Sequence, residues 1–186
     1  MTRRQPRIMA DAKAGWRSVV AIRAFALLAV GSGAAAPLAA EPAGFQEAMK
    51  SLRTVRSVSE GGARYQDYAP RTLEAKIAVD EYLRAPERND ADIRRAVGAS
   101  LRYYLLTSRV WNAIIVNSNS TTREMAVLSI YQAATSDLES CPGVKKTMSS
   151  ANDAGYGLTS AALRPLLECA SAELVRAEKL TRGQTR

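Results

Sequence analysis

The stretch YYLLTSRVWNAIIV, Tyr103–Val116, decides the fold of this chain. Arg109 is its one charge. At helical spacing, Ile93, Val97, Tyr104, Trp111 and Ile115 make one apolar face, and Leu105, Leu106, Val110 and Val116 cover most of the rest. A helix that is apolar nearly all round belongs in the middle of a bundle or at an interface. The first reading is therefore a central core helix, Asp90 to about Asn117. The second is a homodimer surface. Ser108, Arg109 and Asn112 make the segment too polar, and its length makes it too short, for a membrane span.

The same helix carries Arg95, Arg102 and Arg109 at seven-residue intervals on its opposite side. Such rungs stand about 10 Å apart. They read first as a solvated face with local carboxylate partners. The sharper reading is a strip for an anionic partner, either a polymer or lipid headgroups.

Working outward, the flanking chain is helical too, and no alternating strand pattern competes with it. Phe45, Met49, Leu52 and Val55 predict a first helix over about Ala43–Ser59, stopped by Glu60–Gly62. Pro70 suits a first turn, so the second helix is expected over Ala69–Leu83, with Ala63–Tyr68 as a lead-in turn capped near Asp67. Asp90 and Asp92 read as capping and dipole partners of the third helix. Thr121 and Glu124 form a capping box for a fourth helix ending at Cys141–Gly143. A short piece around Val144 and Met148 and a loop at Asn152–Gly157 follow. The last helix spans about Thr159–Leu180, with Leu163, Leu167, Ala170, Leu174 and Ala177 in one stripe. Short connections make neighbours antiparallel, so the expected fold is an all-α, up-and-down bundle of about four to five helices.

The second helix holds the candidate ligand-binding residues. On a helical wheel Tyr65, Tyr68, Thr72, Ala75, Val79 and Tyr82 fall within about 100° of one another. That is bundle-seam periodicity, and it reads first as core with the hydroxyls reaching polar partners. Lys76 sits beside this stripe, near Leu73, Ile77 and Leu83, with Asp80 one turn on. The pair reads as a partly buried ion pair that fixes register. The functional alternative makes Tyr65, Tyr68, Lys76, Asp80 and Tyr82 a face for a small ligand or peptide.

The N-terminus reads as an export signal. Arg3, Arg4, Arg7, Lys13, Arg17 and Arg23 precede the apolar run Ala24–Val30 and a small-residue stretch ending at Ala40. Cleavage after Ala40 gives a signal peptide over 1–40, one helical domain over 41–180 and a polar tail over 181–186. No transmembrane anchor is then expected to remain. The signal holds six of the 26 Lys and Arg and one of the 18 Asp and Glu. The remaining 20 against 17 lower the net charge from +8 to +3. The bulk-charge case for a nucleic-acid partner falls away with it. Periplasmic or secreted destinations are oxidising, so Cys141 and Cys169 are expected to form a disulfide.

The chain contains no histidine. That removes Ser–His–Asp and Cys–His catalysis, Cys/His zinc sites and c-type haem attachment. No metal site and no cofactor is expected, and phosphate-binding glycine motifs are absent from the sequence. Leu180–Gln184, LTRGQ, resembles the L-T-x-x-Q motif of the periplasmic chaperones Spy and CpxP. It occurs once here, whereas that family carries two copies, and no family is assigned on it. The expected role is an exported, non-enzymatic binding or structural protein of the cell envelope, partnering an envelope protein or a small ligand. The alternatives are a carboxylate-dependent envelope hydrolase and a holdase-type periplasmic chaperone.

Overall fold

A computed structural model describes residues 44–86, 90–144, 146, 161 and 163–184. The expected signal peptide, Met148 and the expected loop at Asn152–Gly157 lie outside them. Among the described residues every regular element is a helix: α1 Phe45–Glu60, α2 Tyr65–Arg84, α3 Ala91–Val116, α4 Ser120–Ala133, α5 Thr135–Leu138 and α6 Leu163–Gln184. No helix among them is long and apolar enough to cross a membrane.

The helix α3 is the centre, as its sequence implied. It packs on α1, α2, α4 and α6, most extensively on α6. Ile93, Val97, Leu101, Tyr104, Leu106 and Val110 are all buried. The small run Gly98–Ala99–Ser100 lets neighbours approach closely. A methyl group at Gly98 would stand 3.6 Å from Leu83 of α2, and Ser100 Oγ donates to the Ala170 carbonyl of α6 at 2.9 Å. The facing stripe of α6 is Leu166, Ala170, Leu174 and Ala177. Leu163 and Leu167, expected in that stripe, are only partly buried. Counting back four residues from Ala170 reaches Leu166, which takes the inward position instead.

Phe45, Ala48, Met49, Leu52 and Val55 form the buried face of α1, at the spacing of one helical stripe. Gly62, at φ 70°, ends that helix. The amide of Gly62 bonds to Ser59 O and that of Ala63 to Val58 O, a Schellman closure that favours glycine at the left-handed position. The Phe45 ring meets Tyr82 edge-on, with centroids 5.4 Å apart, so α1 and α2 run antiparallel. A 2.7 Å ion pair from Arg53 to Glu178 joins α1 to α6.

Several local expectations are corrected. The helix α2 begins at Tyr65 and carries Pro70 inside it. Pro70 denies a donor to the Gln66 carbonyl, but both residues are exposed, so the lost bond falls where solvent can reach rather than in the core. The residue at the N-cap is Arg64, and Asp67 lies in the first turn as a dipole partner rather than a cap. Asn119 caps α4, its Oδ1 accepting from the Thr121 amide at 2.8 Å, in place of the Thr121–Glu124 box. The fourth helix also breaks at Ala134 before α5. The polar tail expected from residue 181 is helical as far as Gln184. Ile115 and Val116, expected in the apolar face of α3, are 54% and 66% exposed. The first residue of α2, Tyr65, already stands opposite Trp111, so the last turn of α3 runs past its neighbour.

Cys141 and Cys169 are disulfide-bonded, with Cα atoms 5.9 Å apart. The bridge ties the chain after α5 to α6. Tyr103 and Ser140 hydroxyls, 2.8 Å apart, add a second tie between α3 and that segment.

Candidate functional site

The described residues bring the three tyrosines of α2 together with α3, each in a different setting. Tyr68 is fully buried, and its hydroxyl donates to the Tyr104 carbonyl at 3.0 Å. Its ring and that of Tyr65 lie against the partly buried Trp111, with centroids 5.4 and 5.9 Å away. Tyr82 is also fully buried, and its hydroxyl donates to Asp90 Oδ2 at 2.8 Å. The tyrosine stripe is therefore packed against the bundle, with the Tyr68 and Tyr82 hydroxyls joining α2 to α3 and the segment before it.

Lys76 and Asp80 form an ion pair at the solvent edge of α2. Lys76 is 45% exposed, and Leu73 and Ile77 are more exposed still. The expected pair is thus present, with Asp80 partly buried and Lys76 exposed. The helix α2 packs on α1 and α3 through a narrow stripe, and Lys76 lies beyond its edge. An exposed i,i+4 pair of this kind contributes about 0.3–0.5 kcal/mol.

A polar corner joins the end of α2 to the start of α3. Asp90 precedes α3 but its side chain makes no cap bond. Its Oδ2 is taken by Tyr82, and its buried Oδ1 has no hydrogen-bond partner among the described residues. Arg94 completes the corner. It donates to the Tyr82 carbonyl at 3.1 Å and to the Leu83 carbonyl, and its guanidinium stands 5.3 Å from the Tyr82 ring centre. These are carbonyls of the last turn of α2, where the intrahelical ladder runs out; that of Tyr82 also accepts from the Ala85 amide at 3.2 Å. Sequence reasoning placed Tyr82 and Asp90 but missed Arg94. A basic residue in the first turn of a helix resembles an ordinary surface charge until the α2–α3 crossing is known.

Burial pushes the hydroxyls of Tyr68, Tyr82, Tyr104 and Tyr131 above the ordinary value of 10.0. For Tyr82 the Asp90 carboxylate adds to that effect. The folded state thus holds protons that the unfolded state releases above pH 10. The stabilisation is fully present below pH 10 and is lost as the pH rises past it. Alkaline titration should therefore show these four phenols ionising together with unfolding, read by tyrosinate absorbance and circular dichroism. Ionisation near pH 10 with the helices intact would contradict their burial.

Arg95, Arg102 and Arg109 all reach solvent, which both the solvated-face and the anionic-partner readings require. Arg95 pairs with Asp92 at 2.8 Å. Two open grooves border α6. One, of about 630 Å³, lies between the start of α3 and Arg176, Lys179 and Leu180. The other, of about 840 Å³, lies between the end of α1 and Leu167, Ser171 and Val175. Among the described residues no group of three or more acidic or cysteine side chains is placed to hold a metal ion.

The class these features define is an all-helical, disulfide-linked bundle in which the buried Tyr68, Tyr82 and Ser100 hydroxyls join one segment to another, while those of Thr72 and Thr107 bond within their own helices. No protein family, characterised protein or solved structure matches the chain.

Proposed function

We propose that the protein is exported, with its leader cut after Ala40, and serves as a binding or structural component of the cell envelope without enzymatic activity. The observation that carries this reading is the use of the interior polar groups. Tyr68, Ser100 and Tyr82 each make a hydrogen bond that joins one part of the bundle to another. Apart from the buried Asp90 at the α2–α3 corner, recognition chemistry is offered at the surface, where the arginine strip of α3 and the exposed apolar residues of α2 and α3 face solvent. Recognition of a macromolecule by its surface fits that distribution better than capture of a small ligand within the bundle. The disulfide agrees with an oxidising destination.

The test is affinity capture from envelope extract with the purified protein as bait, repeated in the presence of free protein as competitor. Saturable, competed capture of a defined envelope component is the expected result. Turnover of an envelope polymer in the same extract would overturn the non-enzymatic reading. A holdase is the second reading, favoured by the exposure of Leu73, Ile77, Ile115, Val116 and Met125. It requires that the protein suppress light scattering by a denaturing client, which a specific binding protein does not.

A further inference from the structure

The arginine ladder of α3 has an acidic counterpart within the same chain. Asp67, Glu74 and Glu81 recur on α2 at the same seven-residue interval, and all three are exposed, as are Arg95, Arg102 and Arg109. Both ladders have three rungs about 10 Å apart, since each interval is two helical turns. Equal spacing, equal number and opposite sign make the two strips complementary in register as well as in charge.

They do not meet within one molecule. Tyr65 and Leu83 of α2 turn toward α3, against Trp111 and Gly98. Glu74 lies about 180° around the helix from both. The acidic ladder is thus on the far side of α2 from α3, while the arginine ladder is on the solvent side of α3. We propose that the protein self-associates head to tail, the acidic ladder of α2 in one copy seating on the arginine ladder of α3 in the next.

Apolar surface accompanies each strip. Leu73 and Ile77, 58% and 63% exposed, flank the acidic ladder. Partly buried Leu105 and exposed Val116 flank the arginines. Seating one strip on the other covers these side chains and gives the charge pairing an apolar centre. Glu74 and Arg95 have partners on their own helices, Arg71–Glu74 at 2.9 Å and Arg95–Asp92 at 2.8 Å, and Arg102 is engaged as well. Both pairs are at least half exposed, so exchanging them for partners in another copy costs little. Because the donor and acceptor strips differ, the contact is heterologous and each bound copy still presents one free strip of each sign at its ends. Growth beyond a dimer follows.

The inference is independent of the envelope reading, because it is tested on the purified protein alone. Sedimentation equilibrium is measured at about 20 mM and about 500 mM salt, where charge screening is weak and strong respectively. At low salt the average mass should climb with concentration without levelling at a dimer, and at high salt it should fall toward the monomer. Glu74→Ala/Glu81→Ala and Arg102→Ala/Arg109→Ala should each weaken association tenfold or more, and alanine in exposed helix positions preserves the fold. The decisive arm mixes the two variants in equal amounts. Each keeps the strip the other lacks, so the mixture should stop at a one-to-one pair. Circular dichroism of each variant checks its helices, and the salt series on the unsubstituted protein stands without them. A monomer at every concentration, association indifferent to both variants, or a mixture that forms no pair would overturn the proposal. So would binding of anionic vesicles through the arginines with no self-association at low salt.

Discussion

Leu174→Ala will lower the unfolding free energy by about 3–5 kcal/mol, the upper part of the range for a buried leucine. Leu174 is fully buried on α6, in the stripe that faces α3. The α3–α6 contact is the most extensive between helices of the bundle. Tight approach there is set by Ser100 bonded to the Ala170 carbonyl, which restrains the backbones from closing over a cavity. Truncation therefore loses the transfer free energy of the leucine and leaves a void as well. Urea unfolding followed by circular dichroism measures the loss, with an unchanged slope showing that the change is one of stability. Ile77→Ala provides the contrast. Ile77 is 63% exposed on α2, and its truncation should change stability by about 0.5 kcal/mol or less. Equal effects at the two sites would mean that α6 does not cover α3.

Cys141→Ala/Cys169→Ala will cost about 3–4 kcal/mol. The bridge closes a loop of sequence separation 28, for which chain-entropy arguments give that magnitude. For a domain of this size the loss lowers Tm by roughly 10 °C. Alanine is chosen because Cys141 is fully buried and serine would place an unneeded hydroxyl there. The effect should be local as well as global. Val127 and Tyr131 are the fully buried side chains of α4, and α5 is four residues long, so the bridge is a main restraint on this segment. Limited proteolysis of the variant should cut first within residues 118–140. A Tm equal to that of the parent protein would show that the bridge contributes nothing to the fold.

The helical class and the central place of α3 were legible because they rest on periodicity. An apolar pattern that wraps a helix leaves few positions for it other than the middle. Tyr68 and Tyr82 were correctly placed in the seam for the same reason. What escaped depends on where neighbours end. Ile115 carries the periodic signal of Trp111 and Tyr104, yet it is exposed because α2 begins no earlier than Tyr65. Lys76 looked partly buried because its flanks, Leu73 and Ile77, are apolar, but among the described residues no helix covers that side of α2. Pro70 argued for a helix start, and solvent access to Gln66 made that start unnecessary. Arg94 was invisible because its partners are carbonyls, which every sequence supplies equally. Asn119 displaced the Thr121 cap because its amide oxygen serves the first-turn amides equally well from two residues earlier. Of the candidate site, the arginine ladder was legible by its interval of seven. Its acidic counterpart on α2 was not, since Arg71, Lys76 and Arg84 interrupt the pattern until the helix is turned to show which face each occupies.

The burial of α3 at the centre of the bundle underlies all of these expectations. Hydrogen exchange resolved to single helices tests it most directly. Amides of Val97–Val110 should be the slowest in the protein, exchanging only with global unfolding, while those of Ser120–Ala133 open at lower free energy. Exchange of Val97–Val110 as fast as that of Ser120–Ala133, in a folded and bridged protein, would contradict the placement of α3.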